Sequence, residues 1–147
     1  MAKKKYLTII DANFNRCKEG LRVVEDIFRF TAKDDKLRKK IRNQRHNLVK
    51  IIAPALIQKA IVQRNSKKDL GKKLDSLENK RDNLSDILYA NLQRTKESLR
   101  VLEEFSKIID KKNTAKIKNL RYAIYDLEKE IILKWPALCN TRQTGCR

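Results

Sequence analysis

The chain has 147 residues, of which 36 are Lys or Arg and 18 are Asp or Glu, so its formal net charge is +18. Three glycines and two prolines leave little material for tight turns, and no stretch approaches the roughly 20 apolar residues that span a bilayer. The composition therefore favours long helices and excludes a transmembrane protein. The charge favours anionic partners, namely nucleic acid, anionic membranes or phosphorylated small molecules, without selecting among them.

The first third of the chain predicts two long helices. Asp11 is expected at the N-cap or in the first turn of a helix that runs to Thr31, after a short apolar lead-in. Asp34 and Asp35 start the next helix, because acidic side chains suit the positive end of the helix dipole. Pro54 ends or kinks that helix.

The rest of the chain continues the helical pattern. Residues 55–62 form a further helical piece, and the polar residues 63–74 form the main irregular segment. Residues 75 and 76 offer a cap for a short helix that leads into a second long helix at about 87–109. The last predicted helix starts at residues 113–114 and ends before Pro136.

Two stretches repeat each other at an offset of 78 residues. Residues 11–27 read DANFNRCKEGLRVVEDI and residues 89–105 read YANLQRTKESLRVLEEF, with nine of seventeen positions identical, where ordinary residue usage gives roughly one. The helices that follow match more weakly at an offset of 79, which aligns Ile41-Arg42 with Leu120-Arg121 and His46 with Tyr125. We therefore predict an all-α helical bundle of two duplicated αα units with approximate internal twofold symmetry.

This arrangement corresponds to a single helical domain at residues 1–136. We expect the first repeat at about 11–52, a connector at 53–86, the second repeat at about 87–133 and a flexible tail at 137–147. Cys17 lies on the apolar helix face and is expected in the core. Three cysteines without a secretory leader indicate a reducing cytoplasm.

The repeated polar residues have two interpretations. Asn13 and Arg16 lie at the head of the apolar helix face, and a buried unsatisfied amide costs about 1–3 kcal/mol. Because both repeats carry these polar residues, and with them this energetic cost, we expect a buried polar network at the symmetry centre or a ligand site. Glu19, Arg22 and Glu25, spaced three apart, are by contrast more typical of a surface salt ladder.

No Gly-rich phosphate loop occurs in the sequence, so any phosphate must be held by side chains and helix N-termini. His46, the single histidine, is typical of a surface residue unless another layer covers its face. Asp69 and Gly71 form either a connecting turn or a ligand-binding loop, and the spacing alone leaves both open.

The same residues carry a resemblance to a known family. The segments IIDANFNRCKEGLRVVEDIFRF, RHNL, RNSKKDLG, ANLQRTKESLRVLEEF and NLRYAIYDLE resemble, in this order, the small helical domain often fused ahead of thiamine-phosphate synthase. The resemblance covers roughly residues 6 to 133. The sequence differs from the family at Lys72, where a residue with a small hydroxyl side chain is usual.

The resemblance implies a monofunctional hydroxymethylpyrimidine phosphate kinase. Such a kinase transfers a phosphoryl group from ATP to 4-amino-5-hydroxymethyl-2-methylpyrimidine phosphate for thiamine synthesis, and we expect Mg²⁺ as its cofactor. No synthase barrel follows in this sequence, so the product is expected to pass to a separate thiamine-phosphate synthase. A homodimer is a hypothesis that rests on the small lone bundle and the arginines on its back face.

Site roles follow from this interpretation. We expect Asp69, Glu19 and His46 to be catalytic, with an acidic group or His46 taking the hydroxymethyl proton. Magnesium ligands are expected among Glu25, Glu103 and Asp69. Substrate and phosphate are expected to contact Asn13, Arg16, Arg22, Arg45, Arg64, Gly71, Asn91, Arg94 and Arg100. The two asparagines either read the pyrimidine edge or, as we favour, lock the two repeated helices together.

Two other functions remain open. A non-catalytic helical partner of a thiamine-phosphate synthase would show no ATP turnover of its own. A basic nucleic-acid-binding module would bind RNA or DNA with steep salt dependence. That module is disfavoured, because the sequence contains no recognised reading motif and few aromatic residues for stacking.

Overall fold

The computed structural model describes residues 2–74, 76 and 80–139, and over these residues the protein is all-α, with five α-helices and no strand. The helices are α1 (Ala2–Asp26), α2 (Asp35–Ile51), α3 (Pro54–Val62), α4 (Leu84–Ile109) and α5 (Thr114–Lys134). A π-helical segment, Ile27–Thr31, extends α1, and short 3₁₀ turns lie at Ser66–Lys68, Lys111–Asn113 and Pro136–Leu138. The predicted fold class is confirmed.

The centre of the bundle is the contact between α1 and α4, the two helices of the repeated stretches. Their aliphatic faces supply much of one continuous core, which includes Leu21, Val24, Leu99 and Leu102, all fully buried. Cys17 is buried there too, as expected. Burial raises the pKa of the Cys17 thiol to about 12, and a hydrogen bond with Ser98 offsets part of that rise.

Gly20 lets α1 and α4 approach closely. A Cβ at this position would lie 2.6 Å from Thr95 Oγ1 and 3.0 Å from the carbonyl oxygen of Asn91. Both distances are shorter than ordinary van der Waals contact, so only a residue without a side chain fits this crossing. This role of Gly20 is not among the expectations drawn from the sequence.

The start of α1 corrects one prediction. The helix begins at Ala2, so the expected lead-in is helical and Asp11 lies inside α1 instead of at its N-cap. By contrast, α2 begins where the sequence predicts, because Asp34 Oδ1 accepts a hydrogen bond from the Leu37 amide and caps the helix. Pro54 occupies the first turn of α3, as its fixed φ allows.

The expected short helix before α4 falls partly on residues 75 and 77–79, which lie outside the described residues. Within the described part, α4 begins at Leu84, where Asn83 Oδ1 caps the helix by accepting from the Asp86 amide at 3.0 Å. The helical part of the second repeat therefore starts a few residues earlier than predicted.

The end of α5 is tied to the start of α2. Trp135 Nε1 donates to Asp34 Oδ2 at 2.9 Å, and Lys134 Nζ lies 2.7 Å from the same oxygen. Leu138 and Cys139 pack against the core, so this part of the expected tail is in contact with the bundle. The remaining tail residues, 140–147, lie outside the described part. No helix in the described residues is long and apolar enough to cross a membrane.

Candidate functional site

A cleft of about 720 Å³ lies between the first half of α1 and the segment that follows α3. We call it the loop cleft. It brings together two segments that are distant in the sequence, because Asp11, Asn13 and Arg16 from α1 meet Arg64 and Asp69 from the connector. Five residues of the predicted site or of its flanking motif therefore share one surface.

A two-point ion pair builds one wall of the loop cleft. Arg64 Nε and Nη2 donate to Asp11 Oδ2 and Oδ1 at 2.6 and 2.7 Å, and Asn15 Nδ2 adds a 3.2 Å hydrogen bond to Oδ1. Asp11 is buried, and its hydrogen bonds raise the pKa of the Arg64 guanidinium. Arg64 thus holds the connector against α1, and its guanidinium fork is occupied by a carboxylate.

The two asparagines do not lock α1 to α4 through their amides. Asn13 Nδ2 donates to the Ile9 carbonyl at 2.9 Å, and Asn91 Nδ2 donates to the Ile87 carbonyl at 2.8 Å. Each of these bonds stays inside its own helix. The close contact between the helices depends on Gly20 instead, so the favoured role for the pair is not supported by their hydrogen bonds.

The charged groups that remain available in the loop cleft are Arg16, Lys68 and Asp69. Arg16 is exposed, and its Nη1 makes only a long 3.4 Å hydrogen bond to Asn13 Oδ1. Asp69 Oδ1 accepts from the Gly71 amide at 2.9 Å in a tight turn. Gly71 has no positive φ, and a Cβ there would make an ordinary 3.5 Å contact, so its backbone shows no close approach.

A second cleft, of about 870 Å³, lies between the second half of α1, the π-helical segment and α2. We call it the basic cleft, because six cationic side chains and two carboxylates line it beside His46. Glu25 lies at its base and is 1% exposed. Arg45 Nη2 and Nε donate to Glu25 Oε2 at 2.9 and 3.2 Å, and Arg22 Nη1 lies 3.6 Å from the same oxygen.

The equivalent carboxylate of the second repeat is also buried, but a different arginine binds it. Glu103 is buried, and its Oε2 accepts from Arg121 Nε at 2.8 Å. Arg121 also donates to the Tyr125 hydroxyl at 2.8 Å, and the hydrogen bond with Glu103 raises the pKa of its guanidinium. Arg100 Nη1 completes this network at 3.3 Å from Glu103 Oε1.

The structure therefore divides the predicted site residues. Asn13, Arg16, Arg64 and Asp69 line the loop cleft, whereas Arg22, Glu25, Arg45 and His46 line the basic cleft. Positions 11 and 22 of one helix lie about 16 Å apart at 1.5 Å per residue, so the two groups form separate surfaces. Among the described residues, the other candidates line neither cleft, namely Glu19, Gly71, Asn91, Arg94, Arg100 and Glu103.

The expected magnesium ligands are not brought together. No group of three or more His, Cys, Asp or Glu side chains in the described residues could hold a metal ion. Glu25 and Glu103 are each bound by arginine, in different parts of the bundle. Asp69 is the remaining carboxylate, and a single carboxylate can hold Mg²⁺ only together with oxygens of a bound phosphate.

Residues 8–130 match the model of the ThiD2 family, which is most of the chain and includes every residue named above as lining either cleft. The chain belongs to the ThiD2 family. The match begins inside α1, at Thr8, and ends inside α5, so it contains both repeated stretches.

Several curated relatives of this ThiD2 family member are thiamine-phosphate synthases. Identity is 42% over 127 residues with the protein of Prochlorococcus marinus strain SARG, covering 86% of this chain and 35% of the relative. Identity is 38% over 125 residues with the protein of Synechocystis sp., covering 84% of this chain and 35% of the relative. Identity is 35% over 133 residues with the protein of Rhodopirellula baltica, covering 90% of this chain and 36% of the relative. The chain thus spans about a third of the length of these relatives. No solved structure matches the chain. The expected likeness to a helical domain associated with thiamine-phosphate synthase is confirmed.

Proposed function

We propose that this member of the ThiD2 family acts in thiamine biosynthesis as a kinase of 4-amino-5-hydroxymethyl-2-methylpyrimidine phosphate, with ATP as the phosphoryl donor. The observation that carries the proposal is the loop cleft. There the DANFNR and RNSKKDLG segments, more than 50 residues apart in the sequence, are joined by the Asp11–Arg64 ion pair into one polar surface.

This reaction requires no direct chemical participation of a protein side chain. The nucleophile is an oxygen of the substrate's own phosphate, which is already ionised at neutral pH because the second pKa of a phosphate monoester is about 6. The reaction therefore requires no general base. This revises the proton-accepting roles expected for Asp69, Glu19 and His46, since phosphoryl transfer depends chiefly on positioning and charge neutralisation.

The side chains of the loop cleft can position the substrates and neutralise the charge of their phosphates. Arg16 and Lys68 are exposed cations that can bind the substrate phosphate, and the Asn15 amide faces the same cleft to position a polar ring edge. Asp69 can hold Mg²⁺ together with phosphate oxygens when both substrates are bound. Asp11 and Arg64 position the connector and are not assigned a direct role in the transfer.

The test is direct. The purified chain is mixed with ATP, Mg²⁺ and the pyrimidine monophosphate, and the diphosphate product is measured by mass spectrometry. We expect Arg16→Ala to lower turnover at least about tenfold, because it removes a charge-assisted hydrogen bond. Arg94→Ala is the matched control, since Arg94 is the exposed equivalent of Arg16 in the second repeat and lines neither cleft. It should retain turnover within about twofold.

An absence of diphosphate, while a known kinase works in the same tube, would remove the kinase proposal. A second candidate would then stand, namely a non-catalytic helical partner domain of a thiamine-phosphate synthase. The names of the relatives favour this candidate, because they are synthases and not kinases. It predicts that the chain binds a thiamine-phosphate synthase and changes its rate without consuming ATP.

A further inference from the structure

The two repeats surround the same carboxylate differently. In the second repeat, Arg121 binds Glu103 and is itself only 9% exposed, and it also donates to the hydroxyl of the exposed Tyr125. The equivalent residues of the first repeat, Arg42 and His46, are both exposed. Arg45 binds Glu25 in their place. The fold therefore does not require an open space beside this carboxylate, and the first repeat has one.

The backbone beside this space is irregular. The π-helical segment Ile27–Thr31 is followed by Lys33, the one non-glycine residue with positive φ in the described part of the chain, at 54°. That conformation costs a non-glycine residue roughly 1–2 kcal/mol, and glycine would adopt it without strain. Strained residues and π-helical segments both occur preferentially at functional sites. Lys33 ends this helix in the left-handed conformation common at helix C-termini, where the Asp34 amide donates to the Phe28 carbonyl at 2.8 Å, and its exposed side chain lines the basic cleft.

The cations of the basic cleft exceed the available carboxylates. Glu25 is bound by Arg45 and contacted by Arg22, and Asp35 is bound by Arg38. Arg29, Lys33 and Arg42 make no ion pair with any described carboxylate. Three cations of the lining therefore have no carboxylate partner in the described residues, and one of them, Arg29, lies over the Phe30 ring. Phe28 is the one large apolar residue of the lining, so the cleft can bind charge but has little surface for stacking a ring.

We propose that the basic cleft is a specific binding site for an oligophosphate, that is, for two or more linked phosphate groups. A volume of about 870 Å³ accommodates such a group, and guanidinium forks match phosphate oxygens in pairs. Linked phosphates carry more negative charge than a single phosphate and can therefore engage several cations together. The proposal does not depend on kinase activity, because the loop cleft is about 16 Å away along α1 and binding requires no turnover.

Calorimetric titration of the full chain with inorganic pyrophosphate, at physiological ionic strength, tests this site. We expect one saturable site and at least about tenfold weaker binding in Lys33→Gln and in Arg42→Gln, since each removes a charged hydrogen-bond donor. Lys59→Gln removes the same charge from the exposed face of α3 and should change affinity less than about twofold. His46→Tyr installs the second-repeat residue and should also weaken binding, by filling the cleft.

Three further ligands identify the source of the phosphates. Orthophosphate should bind more weakly than pyrophosphate. Equal affinity for ATP and inorganic tripolyphosphate, which carry the same number of linked phosphates, would mean that the site binds phosphates alone, whereas tighter binding of ATP than of tripolyphosphate would make a nucleotide the occupant. The proposal is overturned if pyrophosphate shows no saturation, or if Lys59→Gln weakens binding as much as Lys33→Gln does, because the net charge of +18 would then explain the attraction. Diphosphate formation is measured separately, so failure of one proposal leaves the other unaffected.

Discussion

Arg64 in the connector binds both carboxylate oxygens of Asp11 in α1, 53 residues away in the sequence, at 2.6 and 2.7 Å. The pair joins the polar segment that follows α3 to the helix on which most of the candidate residues lie. Asp11 is 3% exposed, so its charge depends on Arg64 and on Asn15 for solvation. The geometry of the loop cleft is therefore sensitive to this single contact.

We expect Arg64→Ala to loosen residues 63–74 from α1. The buried Asp11 carboxylate would keep only the 3.2 Å hydrogen bond from Asn15 among the described residues, which should lower the free energy of unfolding by roughly 1–3 kcal/mol. Chymotrypsin, which can cut at Leu70 and Leu74, should cleave the native variant several times faster than the parent. Arg81→Ala, an exposed change in the same connector, is the control. Unchanged cleavage would show that the ion pair does not hold the segment.

Gly20→Ala should destabilise the bundle although alanine is the better helix former. The new Cβ would meet Thr95 Oγ1 at 2.6 Å and the Asn91 carbonyl at 3.0 Å. We expect a net loss of about 1–2 kcal/mol in urea unfolding, because overpacking costs roughly 1–3 kcal/mol and the helix propensity returns up to about 1.

The double variant Gly20→Ala/Thr95→Ala should recover only part of that loss, since the backbone contact with Asn91 remains. Gly71→Ala provides the contrast, because its Cβ would make only a 3.5 Å contact. Equal stability of the Gly20 variant and the parent would mean that α1 and α4 can separate at little cost.

The two repeats allow a matched test of burial. Arg121→Leu leaves the buried Glu103 carboxylate with only the exposed Arg100 as a partner. We expect the free energy of unfolding to fall by an amount near the lower end of the roughly 3–5 kcal/mol seen when one member of a buried ion pair is removed. The equivalent change in the first repeat, Arg42→Leu, should alter stability by less than about 0.5 kcal/mol, because Arg42 is exposed. Similar losses in both would contradict the structural difference between the repeats.

Asp34 makes stability depend on pH at the acid end. Burial alone would raise its pKa, but hydrogen bonds from Lys134, Trp135 and the Leu37 amide lower it from 3.8 to about 2. The folded-state pKa is below the unfolded one, so this stabilisation is complete above about pH 4 and is lost as the pH falls through 2. The loss amounts to roughly 2 kcal/mol.

Asp34→Asn keeps a capping side chain but cannot titrate, so its stability should fall less steeply than that of the parent between pH 4 and 2. Trp135, the single tryptophan, donates to Asp34, and its fluorescence reports the contact directly. Asp35 and Glu104, whose pKa values are also lowered by ion pairs, titrate equally in both proteins. Parallel stability curves would show that Asp34 does not carry this pH dependence.

Local features of the fold are predictable from the sequence, because their signals are local. The helical pattern, the cap at Asp34 and the break at Pro54 each depend on residues within a turn of one another. Asp11 is misassigned for the opposite reason. An acidic residue near the start of an apolar stripe resembles a cap, and its partner Arg64 is invisible to any local pattern.

The same distinction between local signals and distant contacts applies to the candidate site residues. The repeat indicates which residues correspond, but it does not show that Glu25 is bound by Arg45 and Glu103 by Arg121, since that depends on side chains from other helices. Gly20 has a signal that could have revealed it. Its equivalent in the second repeat is Ser98, and small residues at matching positions of two helices indicate a close crossing.

The unequal burial of the duplicated arginines has an evolutionary consequence. Glu25 and Glu103 are both buried against arginine, so Arg45 and Arg121 are each constrained by a buried charge. Arg42, the exposed counterpart of Arg121, has no such partner among the described residues. Natural variation and laboratory libraries should therefore accept substitutions at position 42 more readily than at position 121.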